Sequence, residues 1–145
     1  MYDSSGAPLI TLTLTGRVRV KKNSRRIFNN RYTGRVMNLP SEAHERWYED
    51  ASHQIDTQLR QQREETPELK WNLPMRSKVH VSYRFVRTGK AKVDVDNLIA
   101  SLNDLLVGKS ILADDAQIVQ GDFLIVRTIG KESEDSTSIQ VVPIK

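Results

Sequence analysis

Apolar and polar residues alternate along two stretches of the chain, and this period of two predicts β-strands. In residues 8–20, PLITLTLTGRVRV, the alternation continues to Gly16, where we expect the strand to break or bulge. In residues 77–87, SKVHVSYRFVR, the same pattern places four apolar side chains on one face, namely Val79, Val81, Tyr83 and Phe85. Less regular apolar runs predict two more strands, at about residues 117–128 and 137–144.

Apolar residues three or four positions apart predict two helices. Ser41 is a good N-cap for a helix from residue 41 to about residue 63, with Trp47, Ala51, Ile55 and Leu59 on one face. A second helix is predicted from Asp96 to Gly108. The element order predicts a single α+β domain over residues 1–145, with two main helices packed on a mixed β-sheet.

The distribution of charge indicates a polyanionic partner. The chain has 145 residues, the size of one domain, and a net charge of +4. No acid occurs between Asp3 and Glu42 or between Glu68 and Asp94, and these two windows hold most of the 22 basic side chains. Such blocks are typical of nucleic-acid binding, although a solvated positive surface without a partner has the same composition.

The first basic window includes residues 21–40, which we expect to form a long basic loop with a short strand at Arg26–Phe28 and with DNA contacts at 21–35. Lysines and arginines there would contact phosphates, and an aromatic ring would stack on an exposed base. The predicted DNA-binding residues are Lys21, Lys22, Arg25, Arg26, Arg31 and Tyr32, together with Lys90 and Lys92 from the second window.

Two acidic pairs flank the second predicted helix: Asp94 and Asp96 before it, and Asp114 and Asp115 after it. Taken singly, an Asp at a helix start is most often a cap, and an Asp-Asp pair before a strand is most often a turn. If the strand after Asp115 lies beside the strand before Asp94, however, we expect Asp115 to return toward Asp94 and Asp96. Clustered carboxylates repel one another unless a cation lies between them, and oxygen ligands of this kind suit Mg²⁺ or Mn²⁺.

Several other chemistries lack the residues they need. VGKS at 107–110 is not a phosphate-binding loop, because Asn103 stands where that motif requires glycine. An EF-hand beginning at Asp94 would require glycine at Ile99. The three histidines do not have zinc-ligand spacing, and the chain has no cysteine and no GxSxG stretch. Metal-assisted hydrolysis of a phosphodiester is the chemistry that the acids and basic blocks together favour.

VDVDNLIASLNDLL followed by ILADDAQIV resembles the signature of the RusA-type Holliday junction resolvases. The resemblance is dense over residues 93–119 and agrees with the element order over most of the chain. It implies a RusA-like fold and a homodimeric endodeoxyribonuclease that binds four-way junction DNA and nicks two strands symmetrically, with Mg²⁺ or Mn²⁺ as cofactor.

Carried over by position, the resemblance implies that Asp94, Asp96 and Asp115 are catalytic and bind the metal. Asp114 is a further metal-binding candidate, and Asn97 has a supporting role, orienting a carboxylate or capping the helix. One position departs from the family pattern: members typically carry a lysine where this chain has Ala100. The level of activity is therefore open, with Lys90, Lys92 or Lys109 as possible substitutes.

A second function stays open beside the nuclease: a non-catalytic or weakly catalytic protein that binds branched or single-stranded nucleic acid. We expect neither a membrane span nor a small-molecule organic cofactor. The absence of cysteine and of a recognisable signal peptide favours a cytoplasmic protein.

Overall fold

The structure is a computed structural model that describes residues 9–20, 25–29, 36–40, 42–66, 73–90 and 92–144, with only the backbone described for 25–29 and 36–40. Its strands are β1 Ile10–Thr15, β2 Arg25–Asn29, β3 Val36–Pro40, β4 Val79–Thr88, β5 Ile118–Thr128 and β6 Ser136–Pro143. Its helices are α1 Glu42–Glu65 and α2 Val95–Gly108, with short 3-10 helices at Asp115–Gln117 and Glu132–Glu134.

Four strands form one mixed sheet in the order β1-β6-β4-β5. The β1–β6 and β6–β4 pairs are antiparallel, whereas β4 and β5 are parallel, from Val79 beside Ile118 to Thr88 beside Thr128. Parallel neighbours need a crossover connection, and α2 supplies it. This arrangement confirms the predicted α+β fold with a mixed sheet and two helices.

The basic segment at 21–40 differs from the predicted loop, because β2 and β3 pair in it as an antiparallel hairpin, with Arg25 opposite Pro40 and Asn29 opposite Val36. The short strand expected at Arg26–Phe28 lies within β2, whereas β3 was not predicted, because its sequence lacks the alternation that identifies the other strands. The first predicted strand ends at Thr15, and Gly16 turns the chain with φ of 95°, so the expected break at Gly16 is confirmed.

A single core lies between the sheet and the helices. The predicted face of α1 is buried, as is the predicted face of β4. Leucines of α2 complete the core, with Leu102, Leu105 and Leu106 fully buried. Among the described residues, neither helix has the length and apolar character required to cross a bilayer.

Glutamines of α1 bind the free edge of β1. Gln58 accepts a hydrogen bond from the Thr13 amide at 2.8 Å and donates one to the Thr13 carbonyl at 2.6 Å. Gln54 repeats this exchange with Thr15, and Gln62 donates to the Thr11 carbonyl. Because the glutamines are four residues apart, they lie on one side of the helix. They form hydrogen bonds with backbone groups at an edge that would otherwise be open to pairing with another chain.

We expect Gln58→Ala to lower the free energy of unfolding by about 1 kcal/mol, since it removes two hydrogen bonds to the strand edge. Gln61→Ala, at an exposed position of the same helix, should change that free energy by less than about 0.5 kcal/mol. Urea denaturation of both variants measures the difference. Equal losses would show that the glutamine contacts do not stabilise the edge.

Candidate functional site

The first acidic pair lies at the N-terminus of α2. Asp94 is the N-cap, with its Oδ1 accepting a hydrogen bond from the Asn97 amide at 3.2 Å. The Asn97 side chain donates to the other carboxylate oxygen at 2.8 Å. Asn97 thus fixes the orientation of the Asp94 carboxylate, which is the contact its predicted supporting role requires. Asp96 lies in the first turn of the helix and is exposed.

The second acidic pair is held by a capping box. Asp114 accepts a hydrogen bond from the Ala116 amide at 2.9 Å, and Gln117 accepts from the Asp114 amide, also at 2.9 Å. The Gln117 side-chain amide donates to the carbonyls of Met75 and Ser77, both at 2.7 Å. Gln117 therefore ties the acidic turn to the segment before β4. Sequence reasoning missed this role, although Asp followed by Gln three residues later is a capping-box pattern.

The carboxyl groups of this pair interact directly. The hydrogen bond from the Ala116 amide and a hydrogen bond with Asp115 lower the pKa of Asp114. The same hydrogen bond with Asp114 raises the pKa of Asp115, and the charge of Asp104 adds to the shift. Both acids line an open cleft of about 790 Å³ beside His44 and Tyr48. The cleft thus concentrates negative charge that a cation would neutralise.

The two acidic pairs lie at opposite ends of the β4–α2–β5 unit. α2 separates them along the chain, and 14 helical residues span about 21 Å. Asp94 follows the C-terminal end of β4, whereas Asp115 precedes the N-terminal end of β5, and these strands are parallel. The ends of ten paired residues are about 30 Å apart.

The expected convergence of Asp115 on Asp94 and Asp96 within one chain is therefore wrong. β5 does lie beside β4, as that expectation required, but its direction carries Asp115 to the far end. Among the residues that the structure describes, no three histidine or acidic side chains are grouped so that they could hold a metal ion. The catalytic and metal-binding roles of the four acids stay predictions.

The predicted DNA-binding residues are only partly described. Lys90 and Lys92 are exposed in the segment that follows β4, and Lys92 lines a cleft with Asp94 and Asp96. Arg25 and Arg26 lie in β2, where the backbone alone is described. Lys21, Lys22, Arg31 and Tyr32 lie outside the described residues.

A buried carboxylate, Asp135, was not predicted from the sequence. It accepts hydrogen bonds from Arg17 Nε, from the Thr88 amide and from the Thr88 hydroxyl, each at 2.8 Å. Burial acts to raise the pKa of Asp135, but the hydrogen bonds from Arg17 and Thr88 outweigh it and hold the pKa below its usual range. Asp135 thereby anchors the segment after β1 to the C-terminal end of β4, next to Asp94.

Comparison with known protein families gave a match over most of the chain. The model of the family described as endodeoxyribonuclease RusA matches residues 16–141. The matched range contains both acidic pairs, both helices and all of β2 to β5. A search of curated proteins found no match.

Asp135→Asn should lower the free energy of unfolding by about 3 kcal/mol at neutral pH, because it removes the charge at the buried end of the Arg17–Asp135 ion pair. The difference in the free energy of unfolding between Asp135→Asn and the wild type should become smaller as the pH falls below about 4. There the wild-type carboxylate, whose folded-state pKa is lowered, takes up a proton and loses its contribution. Denaturant titrations between pH 3 and 7 measure both effects.

Glu132→Gln is the matched control, since Glu132 is the exposed partner of the same arginine, with 54% side-chain exposure. Glu132→Gln should lower the free energy of unfolding by about 1 kcal/mol or less. If the difference in the free energy of unfolding between the wild type and Asp135→Asn does not change with pH, the charged form of Asp135 does not stabilise the fold.

Proposed function

Because the chain belongs to the RusA endodeoxyribonuclease family, we propose that it is a metal-dependent, structure-selective DNA endonuclease that resolves four-way junctions by paired symmetric nicks. The family match over residues 16–141 confirms the resemblance seen at residues 93–119. The observation that supports metal dependence and paired nicking is the presence of two acidic pairs at the two ends of α2 in a chain with a net positive charge.

The proposed metal ligands are Asp94, Asp96 and Asp115, with Asp114 as a neighbouring carboxylate. Such oxygen ligands suit Mg²⁺ or Mn²⁺, which would polarise the phosphate and promote attack by water. The described residues of one chain do not bring these carboxylates together. The proposal therefore requires that two copies of the chain complete each site.

The exposed edge of the sheet supports such a dimer. β5 is an edge strand, and its apolar side chains are unusually exposed, with 53% for Phe123 and 56% for Leu124. If two β5 strands pair antiparallel about a two-fold axis, the start of one lies beside the end of the other. Asp115 of the partner subunit then comes to the end of the sheet that carries Asp94 and Asp96.

The spacing of strands is compatible with this arrangement. Only one β5 strand lies between β4 and the partner's β5, so the offset across the sheet is two strand spacings, or roughly 10 Å. A two-fold axis generates two identical sites, which is what symmetric nicking of two strands requires. The basic side chains predicted at Lys21, Lys22, Arg25, Arg26, Arg31, Lys90 and Lys92 would hold junction phosphates, with Tyr32 stacked on a base.

The alternative function, a non-catalytic or weakly catalytic binder of branched or single-stranded nucleic acid, is favoured by one observation. Ala100, which is exposed on α2, occupies the position where the resemblance implies a lysine. Without that lysine, the chain loses one positive charge that would act on the phosphate. Cleavage assays separate the two functions.

A labelled four-way junction should be nicked in two symmetric strands with Mg²⁺ or Mn²⁺, and EDTA should abolish the nicks. Asp96→Asn and Asp115→Asn should each lower the rate by about a hundredfold or more, while junction binding persists. Binding without cleavage under any divalent metal would favour the alternative function.

Heterodimers of the two inactive variants test whether each site contains acids from both chains. With Asp96→Asn in one chain and Asp115→Asn in the other, one shared site carries both substitutions and the other carries neither. Doubly tagged heterodimers purified through both tags should therefore nick one strand. The matched control pairs Asp94→Asn with Asp96→Asn, which damages both sites and should stay inactive. Equal inactivity of the two heterodimers would contradict the composite site.

Ala100→Lys should raise the nicking rate if the missing positive charge limits the reaction. The substitution lies on an exposed helix face, where lysine is readily accommodated. Ala100→Gln, of similar length but neutral, is the control. Single-turnover rates at saturating metal compare the three proteins, and equal gains with lysine and glutamine would show that charge at residue 100 is not the cause.

A further inference from the structure

The strongest unassigned feature is Arg87, a buried arginine whose hydrogen-bonding groups are not satisfied. It is the last inward-facing residue of β4 before Thr88, and its side chain is only 10% exposed. Its Nε and Nη1 atoms are buried and have no hydrogen-bond partner among the described residues. Buried guanidinium groups are normally hydrogen-bonded, so the unbonded nitrogens of Arg87 indicate a binding site for a ligand.

The nearest acid does not provide that partner. Asp135 Oδ2 lies 3.8 Å from Arg87 Nε, beyond hydrogen-bonding distance. Its carboxylate is already bound by Arg17 and Thr88 at 2.8 Å. Arg17 is also fully engaged, because its other nitrogens contact Glu132 and the Thr88 carbonyl. Arg87 therefore has only the longer ion-pair contact with Asp135, and its Nε and Nη1 atoms keep no hydrogen-bond partner among the described residues.

Arg87 lines an open cleft of about 250 Å³ whose walls include Arg17, Arg19, Lys92 and Asp94. Burial lowers the pKa of Arg87, and the nearby charge of Arg17 adds to this shift, whereas Asp135 opposes it. Lys92 is exposed at the mouth. The N-terminus of α2, which begins at Val95, favours negative charge nearby.

From these contacts we infer that the cleft around Arg87 is an anion site that takes a phosphate group, with Arg87 as its buried donor and Lys92 as its outer charge, since Arg19 is already bound to Glu132 at 2.9 Å. The planar guanidinium offers paired donors that suit phosphate oxygens. Because Asp94 borders the same cleft, a phosphate bound there lies next to the proposed metal ligands. The identification of that phosphate as part of a DNA backbone rests on the proposed function.

The site itself is tested with inorganic phosphate and the full chain in EDTA, where no cleavage occurs. Phosphate should raise the melting temperature of the wild type more than chloride at matched ionic strength. Arg87→Met keeps an unbranched apolar side chain and removes the guanidinium group, and it should abolish this difference. Arg84→Met, which changes an exposed arginine on the outward face of the same strand, should retain the difference. Lys92→Gln, at an exposed position, should reduce it.

The anion site would be overturned if phosphate does not raise the melting temperature of the wild type more than chloride does, or if the rise is undiminished in Arg87→Met.

A second experiment, junction binding, then identifies the source of the phosphate. If it is the DNA backbone, Arg87→Met should reduce the slope of log affinity against log salt by about one, whereas Arg84→Met should not. An unchanged slope with a lost response to inorganic phosphate would assign the site to free phosphate and overturn the DNA assignment. A junction that is bound but never nicked would overturn the proposed nuclease while leaving the anion site intact.

Discussion

The parallel pairing of β4 with β5 is the constraint on which the rest of the molecule depends. Parallel neighbours need a crossover, so α2 must run back along the sheet between the end of one strand and the start of the next. The two acidic pairs stand at the two ends of that helix and are therefore kept apart. In a dimer with a two-fold axis, opposite ends of the two chains would meet. The first acidic pair of one chain would then lie near the second acidic pair of the other.

A second constraint acts at the C-terminal end of β4. One buried carboxylate, Asp135, is shared by Arg17 and two groups of Thr88, and this leaves Arg87 Nε and Nη1 on the same strand without a hydrogen-bond partner in the part of the chain that the structure describes. Such an arrangement holds positive charge in the interior beside Asp94. Fixed positive charge next to a carboxylate pair is suited to a site where a metal and a phosphate are bound side by side. The fold thus places opposite charges next to each other at the end of β4.

Much of the fold could be predicted from local pattern. Alternation identified β4, and apolar residues every four positions identified α1, because each period corresponds to one buried face. Strand direction could not be predicted this way, since alternation is the same for parallel and antiparallel neighbours. That is why Asp115 was expected near Asp94. Asp135 was also missed, because an acid within a polar run such as KESEDSTS carries no signal of burial, and its partner Arg17 is distant in sequence.

Asp94 and Asp96 differ in what the fold requires of them. Asp94 caps α2 and binds Asn97, so a structural role alone accounts for its presence. Asp96 is exposed in the first turn, where the helix dipole favours an acid only weakly and where the described residues include no hydrogen-bond partner for its side chain. Since asparagine at residue 96 leaves the cap intact, a loss of cleavage in Asp96→Asn would report on chemistry rather than on folding. Asp96 is therefore the residue at which the structural and the catalytic explanations of the acidic pair are most cleanly separated.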